Sequence, residues 1–337
     1  SINFHCVAMI GRELYVCSYG DGLYVFDPVR MKILRHYDVG GNNCVKVLQS
    51  SDGDIFVGTS DALYVMDAAK GRFEMVPAVE PGFIHAMHLD SQGSIWVGYF
   101  RKGLVKYNPS DKRVSAILPS EGSYDISRAR VTDITETNDG TIWLTTEGDG
   151  LCYFIPSADA DGRYDIHHFG TEDGIPSNIT CAIVQDHNGV STLKGIISLD
   201  KDLDIYSTTE YQAIGNYYRY GSVLYPDSGR IYMGAAEGIV AFNPDNIPVR
   251  KHNIYISDIQ INKEDESTSV AEEGHSTITT QRIRIHSSET SVLSIKIAAL
   301  NSDISETVSF NYRPSGRRTQ SNATTGENTI TYANLTP

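Results

Sequence analysis

One short pattern recurs along the chain: a turn glycine, a polar residue, then aliphatic, aromatic, aliphatic and small residues. It reads Gly53-Asp-Ile-Phe-Val-Gly-Thr59, Gly93-Ser-Ile-Trp-Val-Gly-Tyr99, Gly140-Thr-Ile-Trp-Leu-Thr-Thr146 and Gly229-Arg-Ile-Tyr-Met-Gly-Ala235, with Arg12-Glu-Leu-Tyr-Val-Cys17 as a variant. A second apolar run follows each within a few residues: Gly22-Leu-Tyr-Val-Phe-Asp-Pro28, Ala62-Leu-Tyr-Val-Met-Asp67, Gly103-Leu-Val-Lys-Tyr-Asn-Pro109, Gly150-Leu-Cys-Tyr-Phe154 and Gly238-Ile-Val-Ala-Phe-Asn-Pro244. Glycine anchors at 53, 93, 140, 189 and 229 are spaced by 40, 47, 49 and 40 residues. A period of that length, carried by short strands rich in β-branched and aromatic residues, specifies β-propeller blades rather than a helical solenoid.

The remaining strands of each unit lie between the anchors. Asn43-Cys-Val-Lys-Val-Leu48, Ile84-His-Ala-Met-His-Leu89, Val131-Thr-Asp-Ile-Thr135 and Ile179-Thr-Cys-Ala-Ile-Val184 read as inner strands, and Phe73-Glu-Met-Val76 as an outer one. The sequence predicts six blades, which either close as they stand or belong to a seven-bladed ring. The unit at Gly189 is irregular, because Gly189-Val-Ser-Thr192 reaches its threonine in three steps and contains no tryptophan or tyrosine.

The repeat ends after Asn246-Ile-Pro248, where composition shifts to Ser, Thr, Ile and charged residues. Strand-like runs at 254–261, 282–285, 292–298 and 308–312, with a polar stretch from Glu264 to Thr280, predict a β-sandwich over 249–337. The expected architecture is all-β: a propeller over 1–248 followed by an Ig-like sandwich.

Charge and cysteine usage narrow the function. Lys plus Arg number 28 and Asp plus Glu 42, a net charge of -14. The last 87 residues hold 8 basic and 10 acidic groups, leaving -12 on the first 250. Such a surface repels nucleic acid and anionic membrane faces. No stretch has the 18 or so uninterrupted apolar residues of a membrane span, and no signal peptide opens the sequence. The five cysteines, Cys6, Cys17, Cys44, Cys152 and Cys181, have neither CxxC nor zinc spacing. Cys6 and Cys17 face each other across a hairpin turning at Gly11-Arg12, where two small buried thiols are favoured over a cross-strand disulfide.

The Gly-x-Ile-Trp-Val-Gly units resemble the two-component regulator propeller repeat. The tail, with Phe-Asn-Tyr312 and Ile-Thr-Tyr332-Ala-Asn-Leu, resembles the Ig-like domain named for its three tyrosines. Together, in that order, they are similar to the periplasmic sensor region of hybrid two-component systems of glycan-degrading gut Bacteroidetes. The resemblance covers nearly the whole chain. Two features depart from it: no tryptophan lies between Ser315 and Asn328, and the sequence stops before a third tyrosine, so the sandwich is expected to be C-terminally truncated. The resemblance implies a homodimeric, periplasmic ectodomain of an inner-membrane receptor, attached through a transmembrane segment outside this sequence. It also implies that oligosaccharide binding to the propeller activates glycan-utilisation genes through a histidine kinase.

Motifs for catalysis are missing: there is no HExxH, no G-x-S-x-G, no phosphate loop and no dinucleotide fingerprint. No cofactor and no metal are expected. Asp159-Ala-Asp161-Gly162-Arg-Tyr-Asp165 has the oxygen-rich look of a calcium loop but not its spacing, and reads as a polar turn. His167 and His168 are neighbours on a strand, point to opposite faces and cannot share a metal. Trp96 and Trp143 lie within strands, where packing is the expected role.

Blade topology places the turns between second and third strands on the same face as the connections between blades. That face collects Tyr19-Gly-Asp21, Asn42-Asn43, Phe83, Tyr99-Phe-Arg-Lys102, 124–130, Glu147-Gly-Asp149, 173–178 and Asn216-Tyr-Tyr-Arg219. Aromatic rings stack on sugar faces, while Arg, Asn and Asp bind hydroxyls or carboxylates in fixed geometry. The expected ligand-binding residues are Tyr99, Arg101, Tyr124, Arg128, Arg130, Tyr217 and Arg219. Four arginines point toward an anionic or uronate-bearing glycan, against the domain's overall negative charge. Two other classes stay open: a propeller lyase or hydrolase, since the repeat also resembles that of streptogramin lyase, and a protein-interaction scaffold.

Overall fold

The computed structural model describes residues 3–156, 163–173, 175, 177–185, 190–192, 196–199, 205–209, 218–225, 229–235, 238–243, 253–262, 267–269, 292–300, 322–326 and 329–333. The chain divides into two compact units, Ser1–Pro248 and Val249–Pro337.

The first unit is a β-propeller of antiparallel blades, each strand pairing with the next in sequence. Blade 1 comprises Asn3–Ile10, Glu13–Tyr19, Leu23–Asp27 and Lys32–Tyr37; blade 2, Cys44–Gln49, Ile55–Thr59, Leu63–Asp67 and Arg72–Met75. Blade 3 comprises Ile84–Leu89, Ile95–Tyr99, Leu104–Asn108 and Arg113–Ala116. Blade 4 comprises Val131–Glu136, Ile142–Thr146, Leu151–Pro156 and Arg163–Phe169, with Leu118–Pro119 added in parallel at its outer edge. Blade 5 is Ile183–Gln185, Val190–Thr192, Ile196–Leu199 and Ile205–Thr209. The Gly189 repeat is therefore a four-stranded blade built of shortened strands.

Among the described residues the expected count of six blades is corrected to five complete ones. The Gly229 repeat forms a three-stranded sheet of Tyr218–Leu224, Ile231–Ala235 and Gly238–Phe242. The residues that would carry its fourth strand, 244–250, lie outside the described ones.

The repeated pattern has a physical reading at each position. The turn glycine adopts a left-handed conformation, φ 83° at both Gly93 and Gly140, which side chains resist. In blade 3 the preceding Asp90 organises that turn: its carboxylate accepts from the Ser94 amide at 2.7 Å and from Trp96 Nε1 at 2.9 Å. The aromatic residue then enters the packing between blades: Trp96 is 2% exposed and Trp143 3%, as expected of core residues. The second glycine of the pattern admits the next blade. A Cβ on Gly98 would stand 2.6 Å from Val131 Cγ1, and one on Gly58 2.7 Å from Ile84 Cγ2. Three buried clusters, centred on Cys17 with Leu23, on Phe56 with Ile95, and on Trp96 with Leu144, fill the spaces between blades 1 to 4.

In the second unit the described strands form one antiparallel sheet, ordered Ser267–Ser269, Asn253–Asn262, Val292–Leu300, Thr329–Ala333 and Asn322–Gly326. The expected strands at 254–261 and 292–298 lie within it, whereas those at 282–285 and 308–312 fall outside the described residues. No helix among the described residues is long and apolar enough to cross a membrane.

Candidate ligand-binding site

Backbone hydrogen bonds gather the loops of one propeller face. The turn after each second strand is tied to the entry of its own blade: Phe100 N donates to Phe83 O at 3.0 Å, and Glu147 N to Arg130 O at 2.9 Å. The same turns are tied to the entry of the following blade, by Gly20 N to Asn42 O, Gly103 N to Ala129 O and Gly148 N to Asn178 O. These bonds put the turns and the inter-blade connections on one face, as blade topology required.

Phe83, at the entry to blade 3, and Phe100, after its second strand, are half-buried with ring centroids 5.4 Å apart. His85 completes an aromatic cluster, 5.6 Å from Phe83 and 5.7 Å from Phe100. Its Nδ1 donates to Val131 O at 3.0 Å, and burial pushes its pKa down, so the ring is neutral near pH 7. Two guanidinium groups lie over Phe100: Arg101 at 5.6 Å and Arg130 at 5.3 Å from the centroid. Arg130 also pairs with Glu147 at 3.6 Å. Cation–ring contacts of this kind hold long side chains in place while leaving donors at the rim.

The expected site residues thus separate. Arg101 and Arg130 meet on Phe100, and Arg128 is exposed nearby in sequence. Tyr124 belongs to blade 4, where its hydroxyl donates to Asp149 Oδ1 at 2.9 Å and its ring stacks on His168 at 4.3 Å and 5°. Burial and that carboxylate raise its pKa. Tyr99 is corrected from a ligand-facing to a packing residue. It is 2% exposed, donates to Glu80 O at 2.8 Å, and is pushed by burial up to about 12. Strand alternation turns it to the core, leaving Phe100 to face outward. Tyr217 lies outside the described residues, and Arg219 lies in Tyr218–Leu224 with its side chain undescribed.

His85 is the residue that sequence reasoning missed. Its signal was its position, two residues beyond Phe83 on an inner strand. His167 and His168 face opposite ways, as expected, with His167 stacked on Tyr153 at 4.5 Å. His168, Glu172 and Asp173 bring one ligating atom each within 4.8 Å of one another, a grouping with two exposed carboxylates that sequence spacing did not show. The acidic loop at 159–162 lies outside the described residues.

No family model matches the chain. Among solved structures it is similar to the extracellular domain of the hybrid two-component system BT3049 of B. thetaiotaomicron. The TM-score is 0.61 at 22% identity, over 88% of this chain and 41% of that one. The streptogramin B lyase structure gives a TM-score of 0.56 at 14% identity, over 72% of this chain and 80% of the lyase. Among curated proteins, histidine kinase P4 of Formosa agariphila is 23% identical over 228 residues, 52% of this chain and 16% of the kinase. The chain therefore spans about two-fifths of the BT3049 domain and a sixth of the kinase. The structural likeness is one of fold: an all-β propeller shared with extracellular domains of two-component systems. Those neighbours are the class of protein that the repeat and the tail resembled in sequence.

Proposed function

We propose that this chain is the extracytoplasmic ligand-sensing part of a hybrid histidine kinase and response regulator, and that its propeller binds an oligosaccharide. The observation that carries the reading is the Phe83–His85–Phe100 cluster with Arg101 and Arg130 laid over Phe100. Ring faces of this kind stack on sugar rings, and the adjoining guanidinium and carboxylate groups bond hydroxyls. Because Glu147 neutralises Arg130, the balance of the platform favours hydroxyl-rich neutral sugars over uronates, with Arg101 and Arg128 left to accept a carboxylate.

In this reading 249–337 belongs to an Ig-like sandwich. The parent receptor is a periplasmic homodimer anchored in the inner membrane. Binding shifts the dimer between two arrangements, for which the ligand must have different affinities, and so turns on glycan-utilisation genes. The chain itself performs no chemistry.

The test is calorimetric titration against neutral and uronate-containing oligosaccharides, followed by mass spectrometry of the recovered sugar. Saturable binding of intact sugar supports the sensor. The lyase neighbour supports a second reading, a propeller lyase, and a cleaved or eliminated product would put it first.

A further inference from the structure

The five cysteines occupy two kinds of environment. Cys44, Cys152 and Cys181 are buried, and burial pushes the Cys44 thiol up to about 12 and the Cys152 thiol higher still. Cys6 and Cys17 are different. They are partners in register between Asn3–Ile10 and Glu13–Tyr19, and both are free thiols. Directly opposed residues of an antiparallel pair have Cα atoms about 4.5–5.5 Å apart, inside the range a disulfide spans. Cys6 is half-buried on the pleat face that also carries Ala8 and Ile10, whereas Cys17 is 0% exposed. A hydrogen bond from Cys17 brings the Cys6 thiol down to about 6; it outweighs burial and is helped by the Lys46 ammonium and the Val47 amide. Cys17, by burial and by the Cys6 anion, is raised well above its ordinary value.

We propose that Cys6 and Cys17 are a redox-modifiable pair on the first hairpin of the propeller, with Cys6 as the attacking thiolate and Cys17 as the resolving thiol. The oxidant is a disulfide, whether small or carried by a protein. The Cys6 thiolate attacks one sulfur of the donor, forming a mixed disulfide and releasing one donor thiolate. Cys17 then passes its proton to that thiolate and attacks the Cys6 sulfur, expelling the second donor thiolate, which takes up a proton from solvent. Two protein thiols are oxidised to one disulfide and the donor disulfide is reduced to two thiols. The first step removes the anion that holds the Cys17 thiol protonated, so each step prepares the next. The product would fasten Asn3–Ile10, whose Phe4, Val7 and Met9 are more than half exposed, to the second strand of its blade.

The chain, fully reduced, is exposed at pH 7 to millimolar oxidised glutathione, then unfolded, alkylated and digested with trypsin. The expected product is lighter by about 2 Da before alkylation, and takes up three alkyl groups in place of five. Its digest contains residues 1–12 joined to 13–30 through Cys6 and Cys17. Five alkylated cysteines, or a stable glutathione adduct at Cys6 without the joined peptide, would overturn the proposal. In the native protein, Cys17→Ala should slow alkylation of Cys6 at pH 7 by about tenfold. An unchanged rate would remove Cys17 from its assigned role.

Discussion

Lys46 on the first strand of blade 2 and Asp133 on the first strand of blade 4 meet at the propeller axis, Nζ to Oδ1 3.8 Å, with side chains 17% and 11% exposed. Their blades are not neighbours, so the pair reaches past blade 3. Lys46 also donates to Gly221 O of the three-stranded sheet at 3.4 Å, and Asp133 accepts from the Ile183 amide of blade 5 at 3.3 Å. Gly221 has a φ of 58°, in the left-handed region that favours glycine, and a Cβ there would stand 2.5 Å from the ammonium. Burial opposes both charges. For Lys46, Asp133 and the nearby cysteines outweigh it and raise the pKa; for Asp133, burial outweighs Lys46 and raises the carboxyl.

A hub of this kind is expected to show strong coupling. Asp133→Ala leaves an ammonium buried without its partner and should cost about 3 kcal/mol of unfolding free energy in urea titration. Replacing both residues with leucine should recover most of that loss. Equal and additive losses in the two single variants and the double would show that the pair is not coupled.

Stability should fall on acidification below about pH 6.5. Burial lowers the pKa of both His85 and His88, and His88 Nε2 is buried without a hydrogen-bond partner among the described residues. Below the unfolded value the unfolded chain takes up protons that the folded one refuses, so stability rises with pH across that window and falls as pH drops through it. Each histidine contributes a slope of at most about 1.4 kcal/mol per pH unit. His88→Leu should flatten the profile. Asp133, with its raised carboxyl, acts with the opposite sign at lower pH, and in that variant it loses the lowering influence of His88. An identical profile in His88→Leu would contradict the assignment.

Packing between blades gives a third expectation. Gly98→Val places a branched side chain against Val131 and should destabilise by about 1–3 kcal/mol. Tyr99→Phe, which removes the hydroxyl bonded to Glu80 O, should cost about 1 kcal/mol and leave ligand affinity unchanged. A loss of affinity in Tyr99→Phe would return this tyrosine to the binding surface.

The propeller was legible because its repeat is itself a list of packing requirements. A turn glycine, an interblade aromatic and a small residue beneath the next blade, Cys17, Gly58, Gly98 and Thr145 in blades 1 to 4, recur with the blades. Where side chains no longer meet those requirements, as at Gly189, strand pairing survived in shorter strands that the pattern could not show. The face of the site was also legible, since connectivity alone fixes which turns share an end. The choice between Tyr99 and Phe100 was not. It depends on which neighbour in a strand-to-turn transition points inward, and the hydroxyl that the inward position buries finds its partner only on Glu80, 19 residues away. His85 was missed for a similar reason, since its aromatic partners come from a connection and a turn that close only in the fold.

The central claim is that sugars bind on the aromatic cluster of blade 3. The most direct measurement is the affinity of the best-bound oligosaccharide for the native chain and for Phe100→Ala, with thermal unfolding of both. The account predicts at least about a tenfold loss, the worth of one stacked ring with its contacts, at nearly unchanged melting temperature. An Arg128→Ala, Arg130→Ala double variant should lose affinity as well. Native affinity in Phe100→Ala would contradict the account and move the binding site elsewhere on the propeller.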